Sequence, residues 1–250
     1  MTEPIESAAL EAYGRFFTHF NTRDAAKFTS ALNFPHVRVS PRRAPAVIEE
    51  PETHEERQTW EPFIATGWDH TIGKPGECLH VGEAKAHVLG GWTRYTADEK
   101  PILSNTVAYI ATQVEGQWGI QSRFGIDPGN GGDTTTHYDQ AVDTVTAYVE
   151  AFNARDWSRC AEAMNYPTLL IDPGRVGRWD SANDFAKALA EAQLPRVSEF
   201  EAKAVQGGPN AVNVALDAML DDGARRVQAL FSVTLRDAHW GIQARSIIEK

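Results

Sequence analysis

The sequence predicts an α+β protein made of two copies of one unit of roughly 120 residues, joined head to tail. Three observations predict it. Sliding the 250-residue chain by 132 positions lays Phe20-Asn21-Thr22-Arg23-Asp24 on Phe152-Asn153-Ala154-Arg155-Asp156, and Asn33-Phe34-Pro35 on Asn165-Tyr166-Pro167. At an offset of 122, Trp118-Gly119-Ile120-Gln121-Ser122-Arg123 falls on Trp240-Gly241-Ile242-Gln243-Ala244-Arg245. In both copies helical periodicity comes first and strand periodicity follows. The smaller second offset makes copy two shorter in its middle.

Each copy opens with an amphipathic helix. Leu10, Tyr13, Phe17 and Phe20 form one stripe, and Val142, Val145, Val149 and Phe152 form the other. Asp24 and Asp156 stand where a second short helix begins, as N-caps that accept from free backbone N–H groups. A short strand follows, Val37–Ser40 and Leu169–Asp172, ended by Pro41 and by Pro173-Gly174. A third helix is expected over Glu52–Thr66 and Ala182–Ala192. Four longer strands then close copy one (70–81, 85–96, 102–114, 117–126) and copy two (196–206, 210–220, 224–236, 239–248). Short polar turns such as Glu115-Gly116 make neighbours antiparallel. The domain boundaries follow: 1–127, a Gly- and Thr-rich linker at 128–137, and 138–250.

Charge and composition exclude several functions. The chain carries a net charge of -10, with 12 Lys and Arg against 17 Asp and Glu in each half. With no basic run it is a poor ligand for polyanions, so nucleic acid and anionic membrane are not expected partners. Cys78 and Cys160 fall at non-matching places, so they form no repeated disulfide or metal device. The acidic N-terminus lacks an apolar signal core and no run of 18 apolar residues occurs, which sets a cytoplasmic expectation. Zinc, phosphate-loop, dinucleotide and serine-hydrolase motifs are absent from the sequence, so no cofactor is expected.

The element order, with the Phe-Asn-x-Arg-Asp, Asn-aromatic-Pro and Trp-Gly-Ile-Gln-x-Arg motifs, resembles the nuclear transport factor two-like superfamily over nearly the whole of both copies. The resemblance implies two cone-shaped units, each with three helices packed on a curved antiparallel sheet, forming an intramolecular pseudodimer. It leaves open whether the chain is monomeric or a homodimer. The superfamily includes ketosteroid isomerases, SnoaL-like polyketide cyclases, scytalone-type dehydratases, epoxide hydrolases and non-catalytic binding proteins, so the fold alone sets no activity.

Tyr148 through Asp156 resembles the first helix of ketosteroid isomerases. The resemblance implies that Tyr148 donates a hydrogen bond to a substrate oxygen and that Asp172 is the general base. A donor fixed in a dry site stabilises the charge that proton abstraction leaves on oxygen. The second acid of that family has no counterpart, since the matching position is Phe231. A structural reading stands beside this one: Asp172-Pro173-Gly174 is ordinary turn chemistry, and Tyr148 lies next to the core stripe.

Copy one has Phe16 and Ser40 at these positions. Period-two geometry puts His36, Arg38 and Ser40 on one strand face, either lining a carboxylate or phenolate site or meeting solvent at an edge. His70 lies where scytalone-type dehydratases carry a working histidine, and His80 and His87 fall on adjacent strands. Arg123 and Arg245 recur in both copies, which suggests a shared structural job such as an ion pair across the copies. The expected function is a cofactor-independent isomerase or dehydratase/lyase acting by proton abstraction on a small apolar oxygenated molecule. The alternative is a non-catalytic protein of the same fold that binds a small apolar or weakly anionic molecule.

Overall fold

The structure is a computed structural model that describes residues 2–126 and 134–250. The expected linker at 128–137 falls for the most part outside them. The chain divides into two compact units, the first built mainly from residues before the linker and the second from those after it.

The first unit contains α1 (Thr2–Asn21), α2 (Ala25–Thr29), β1 (Leu32–Ser40), β2 (Arg43–Ile48), α3 (Pro51–Arg57), α4 (Glu61–Ile64), β3 (His70–Gly73), β4 (Glu77–Val81), β5 (Lys85–Tyr95), β6 (Pro101–Val114) and β7 (Gln117–Gly125). The second contains α5 (Tyr138–Asn153), α6 (Trp157–Glu162), β8 (Met164–Asp172), β9 (Arg175–Trp179), α7 (Ala182–Glu191), β10 (Val197–Gly207), β11 (Ala211–Leu220), β12 (Arg225–Arg236) and β13 (His239–Glu249). Among the described residues the sheet orders are β2-β1-β7-β6-β5-β3, with β4 also on β5, and β10-β11-β12-β13-β8-β9. Helices cover one face of each sheet, so both units are α+β.

Three expectations are corrected. The sheet of the second unit is mixed, because β8 joins β13 in parallel. Hairpin-linked neighbours must be antiparallel, but β8 precedes the meander and returns to its last strand, so only the chain path sets its direction. The turns after the first strands open hairpins and lead into β2 and β9. The third helix of copy one is two pieces, α3 and α4. Pro62 lacks an N–H and cannot continue a helix interior, so the helix restarts around it. The break lets the buried Trp60 indole donate to Phe20 O at 3.2 Å.

The repeated motifs prove to be the joints of the fold. Asn21 donates to Thr71 O and accepts from Thr71 N, both at 2.8 Å. Asn153 does the same with Val197, at 2.7 and 2.9 Å. Each thereby ties the end of the first helix to a sheet strand. Arg23 and Arg155 both adopt φ of 58° to turn the chain. Asp24 and Asp156 cap the next helix, accepting from Lys27 N at 3.0 Å and Arg159 N at 3.1 Å.

Asn33 and Asn165 close the sheets. Asn33 donates to Thr112 O at 2.7 Å and Gln117 O at 3.3 Å, and Asn165 to Thr234 O at 2.7 Å and Gly241 O at 3.2 Å. A Cβ on Gly119 or Gly241 would stand 2.8 Å from that asparagine, which is why both positions are glycine. The peptide bonds Phe34-Pro35 and Tyr166-Pro167 that follow are both cis.

Replacing Asn165 by Ala strips donors from buried carbonyls, and each unsatisfied group costs about 1–3 kcal/mol. The expected result in urea unfolding is a loss in that range for Asn165→Ala and the same for Asn33→Ala. An exposed Asp98→Ala should change little.

Candidate functional site

A bulge in the last strand of each unit sets the site. Tyr109 pairs with Arg123, Ile110 with Ser122, and Ala111 with Ile120, so Gln121 bulges out of the register. In the second unit Phe231 pairs with Arg245, Ser232 with Ala244, and Val233 with Ile242, leaving Gln243 unpaired. One extra residue shifts the period-two phase. Ile120 and Arg123 therefore lie on the same, helix-facing side, as do Ile242 and Arg245. This corrects the expected ion pair across the copies: each arginine lies inside its own unit, and among the described residues neither makes an ion pair or a side-chain hydrogen bond.

In the first unit the Arg123 guanidinium lies 5.1 Å over the Phe16 ring. Arg94, on the same sheet face through Trp92 and Val88, lies 4.5 Å over both Phe63 and Trp92. The Nε of each is buried without a partner, as are Tyr109 Oη and His36 Nε2. Burial and the neighbouring Arg38 charge pull Arg123 down to about 9 and Arg94 to about 10. Both stay protonated at neutral pH. Burial pushes the Tyr109 phenol up, so it is a neutral donor.

His36 is 1% exposed. Its Nδ1 lies 3.0 Å from Ile120 O. A carbonyl only accepts, so Nδ1 carries the proton and the unpartnered Nε2 presents its lone pair. His54 on α3 lies 6.0 Å from His36, ring to ring, and its Nδ1 is 2.7 Å from Thr29 Oγ1. Burial first, and then the Arg123 charge, hold His36 well below 6.5 and His54 at about 4. The site therefore combines half-buried cations with two neutral imidazoles.

In the second unit Arg245 is 4% exposed. Its guanidinium lies 5.2 Å over Trp179 and 5.0 Å over Phe185. Tyr148 packs against Phe152 and Phe231. Burial raises the Tyr148 phenol, and the Arg245 charge opposes that rise.

The residues singled out from sequence separate into two groups. His36, Arg38 and Ser40 share a face of β1: His36 is buried, Arg38 exposed and Ser40 half-buried. Asp172, half-buried at the end of β8, alternates onto the face of Leu170, which is the register partner of Arg245. The structure thus brings His36 and Arg38 to Arg123, and Asp172 and Tyr148 to the Arg245 side of the second sheet. His70 and His87 lie on the opposite face of the first sheet. His70 stacks on Tyr95 at 5.4 Å, with Nδ1 3.1 Å from Asp69 and Nε2 3.6 Å from Glu99. His87 Nδ1 lies 2.9 Å from His80 Nδ1. Sequence reasoning missed His54, Arg94 and Tyr109. Arg94 was findable, since it alternates with Val88 and Trp92. His54 was not, because the expected single helix hid its orientation.

Among the described residues no group of three His, Cys, Asp or Glu could hold a metal ion. Among the described residues no helix is long and apolar enough to cross a membrane.

No protein-family model matches the chain, and no curated protein matches it. Solved structures do. A ketosteroid isomerase-like protein from Erwinia carotovora is 17% identical, covering 46% of this chain and 98% of its own, with a TM-score of 0.38. An NTF2-like protein of unknown function from Pseudomonas putida is 7% identical, covering 47% of this chain and 89% of its own, with a TM-score of 0.37. Another from Shewanella baltica is 14% identical, covering 47% and 98%, also with a TM-score of 0.37.

The buried imidazoles make stability depend on pH. His54 has a folded value of about 4 against an ordinary 6.5, so the unfolded chain binds its proton first as pH falls. Its contribution is complete above pH 6.5 and lost as pH drops toward 4. Denaturation midpoints should be flat above that window and decline within it, and His54→Gln should make the decline shallower. An equal slope in the variant would refute this assignment.

Proposed function

We propose that the chain is a small-molecule-binding protein whose first unit holds an apolar carboxylate against Arg123 and Arg94. One observation carries the reading: two half-buried guanidiniums lie against aromatic rings of the unit, and among the described residues no carboxylate pairs with either. Buried cations without partners are costly, and a bound anion offsets that cost. The guanidinium fork fits a carboxylate, and Phe16, Phe63 and Trp92 suit an apolar body. Tyr109 supplies a neutral donor, and the lone pair on His36 Nε2 suits a ligand hydroxyl. Arg38, exposed on the same face, extends the positive field outward in an otherwise acidic chain. Ser40 stands at the end of that row. His70 and His87 have no part in this site.

The second reading is a cofactor-independent isomerase or lyase. It is favoured by the shared face of Asp172 and Arg245 and by the open Tyr148 hydroxyl, which would serve as base, anchor and donor. His36 is the alternative base in the first unit. Binding is the stronger reading there, because an imidazole held well below its ordinary value accepts a proton poorly.

A thermal-shift panel of carboxylates, phenols and ketones separates the readings. Benzoate should raise the melting temperature saturably, by about 2.7 kcal/mol of stability at one hundred times its Kd, and benzamide should not. Arg123→Met should remove the first-unit response. If benzamide matches benzoate, the anion reading is wrong. Deuterium exchange beside the carbonyl of a panel ketone, abolished by Asp172→Asn, would establish the enzymatic reading instead.

A further inference from the structure

Independently of the first unit, we propose that the second unit contains its own anion site, in which Arg245 binds a monocarboxylate with a flat apolar body and the Tyr148 hydroxyl donates to the same carboxylate. The site is built wholly from residues of the second unit. Arg245 is 4% exposed, and its Nη1 is buried with no partner. Trp179 and Phe185 stand edge to face, with centroids 5.4 Å apart at 73°, and the guanidinium lies over both rings. Ring contacts engage the face of a guanidinium and leave its N–H edge free. That edge is the part that recognises a carboxylate.

Tyr148 is the second donor. It is 8% exposed, and its hydroxyl makes no hydrogen bond with the described residues. The half-buried Tyr166, by contrast, closes its hydroxyl by donating to Ala161 O at 2.8 Å. Burial keeps Tyr148 protonated and able to donate. Tyr148 packs on Phe231, the register partner of Arg245, so the two open donors share one face of the sheet.

The ligand class follows from the charge and the walls. One guanidinium balances one negative charge, in contrast to the several cations of the first unit. Trp179, Phe185 and Phe231 offer ring surfaces, which suit an aromatic or unsaturated acid. Trp179 is half-buried and Phe185 fully buried, so the walls run from accessible to dry. An arginine serving only the fold would be expected to meet a carboxylate or backbone carbonyls, as Arg23 and Arg155 do.

The test is calorimetric titration of the full chain with benzoate, with melting temperatures measured without ligand. Wild type should bind two equivalents, one per unit. Arg245→Met should lose one, and its ligand-free melting temperature should rise, because the uncompensated charge is gone and a thioether fits against aromatic rings. Arg245→Lys, which keeps the charge but not the fork, should weaken that equivalent about tenfold or more. Tyr148→Phe should weaken it about fivefold, the worth of one hydrogen bond. If the first-unit reading fails alone, a single equivalent remains that Arg245→Met removes and Arg123→Met does not. The proposal is overturned if Arg245→Met keeps every equivalent wild type binds, or if it melts lower with binding intact. Should Arg245→Met not fold, unchanged affinity in Arg245→Lys overturns the proposal equally.

Discussion

One bulged residue in the last strand of each unit decides where its most consequential charge goes. Without a bulge at Gln121, strict alternation from Ile120 would put Arg123 on the sheet face away from the helices. With Gln121 bulged out, Tyr109 and Arg123 pair on the helix-facing side, and Gln243 does the same for Phe231 and Arg245. Both glutamines are held in place. Gln121 Oε1 accepts from Thr112 Oγ1 at 2.9 Å, and Gln243 Nε2 donates to Asn165 O at 3.1 Å. Thr112 and Asn165 belong to the same asparagine joints that bring the first strand against the last. The sheet closure and the inward arginine are therefore one construction, present twice.

Around that construction the two units diverge. Where the first has Phe16, His36, Arg38 and Ser40, the second has Tyr148, Thr168, Leu170 and Asp172. The first gains positive charge on its first strand, while the second gains an apolar residue and a carboxylate. Thr168 is buried and donates to Ile242 O at 3.2 Å, so the place taken by His36 in one unit is a closed polar contact in the other. Two interiors sharing one arginine and little else are suited to unlike ligands. The joints are common because the backbone demands them, and the walls are free to differ because the backbone does not.

The sequence revealed the architecture because its signals are local and periodic. Helix stripes, caps, turns and the last three strands of each copy lie within one or two residues of their expected places. Its failures have physical causes. Pro62 was absorbed into a helical pattern that its missing N–H forbids. The parallel pairing of β8 is non-local and leaves no periodic trace. Arg123 and Arg245 were visible as repeated residues, but their direction was not, since a bulge reverses the phase without altering the composition of the strand. The face of His36, Arg38 and Ser40 was correctly grouped, yet period-two geometry could not show that burial falls from His36 to Arg38. His70 and His87 were chosen for chemistry that any histidine offers, and only three-dimensional placement shows that they lie on the other face.

On the proposed reading, ligand recognition accounts for the energetic cost of the two arginines. A fold that needed only to fill its interior would place an aliphatic side chain opposite Tyr109 and Phe231, as it does opposite Ala111 and Val233 with Ile120 and Ile242. Placing a guanidinium there instead costs desolvation free energy, which ring contacts of about 0.5–2 kcal/mol recover only in part. Natural domains retain such costs at sites of function, where stability is exchanged for binding. The same cost appears twice, at matching positions, in units whose other interior polar groups differ. Burial, with the Arg123 charge second, holds His36 and His54 neutral, so neither imidazole adds its own charge to the arginines beside it, and an arriving anion would raise both by offsetting the Arg123 part of that depression. On that reading charge, protonation and ligand are coupled through a single residue, Arg123, whose direction is set by the bulge at Gln121.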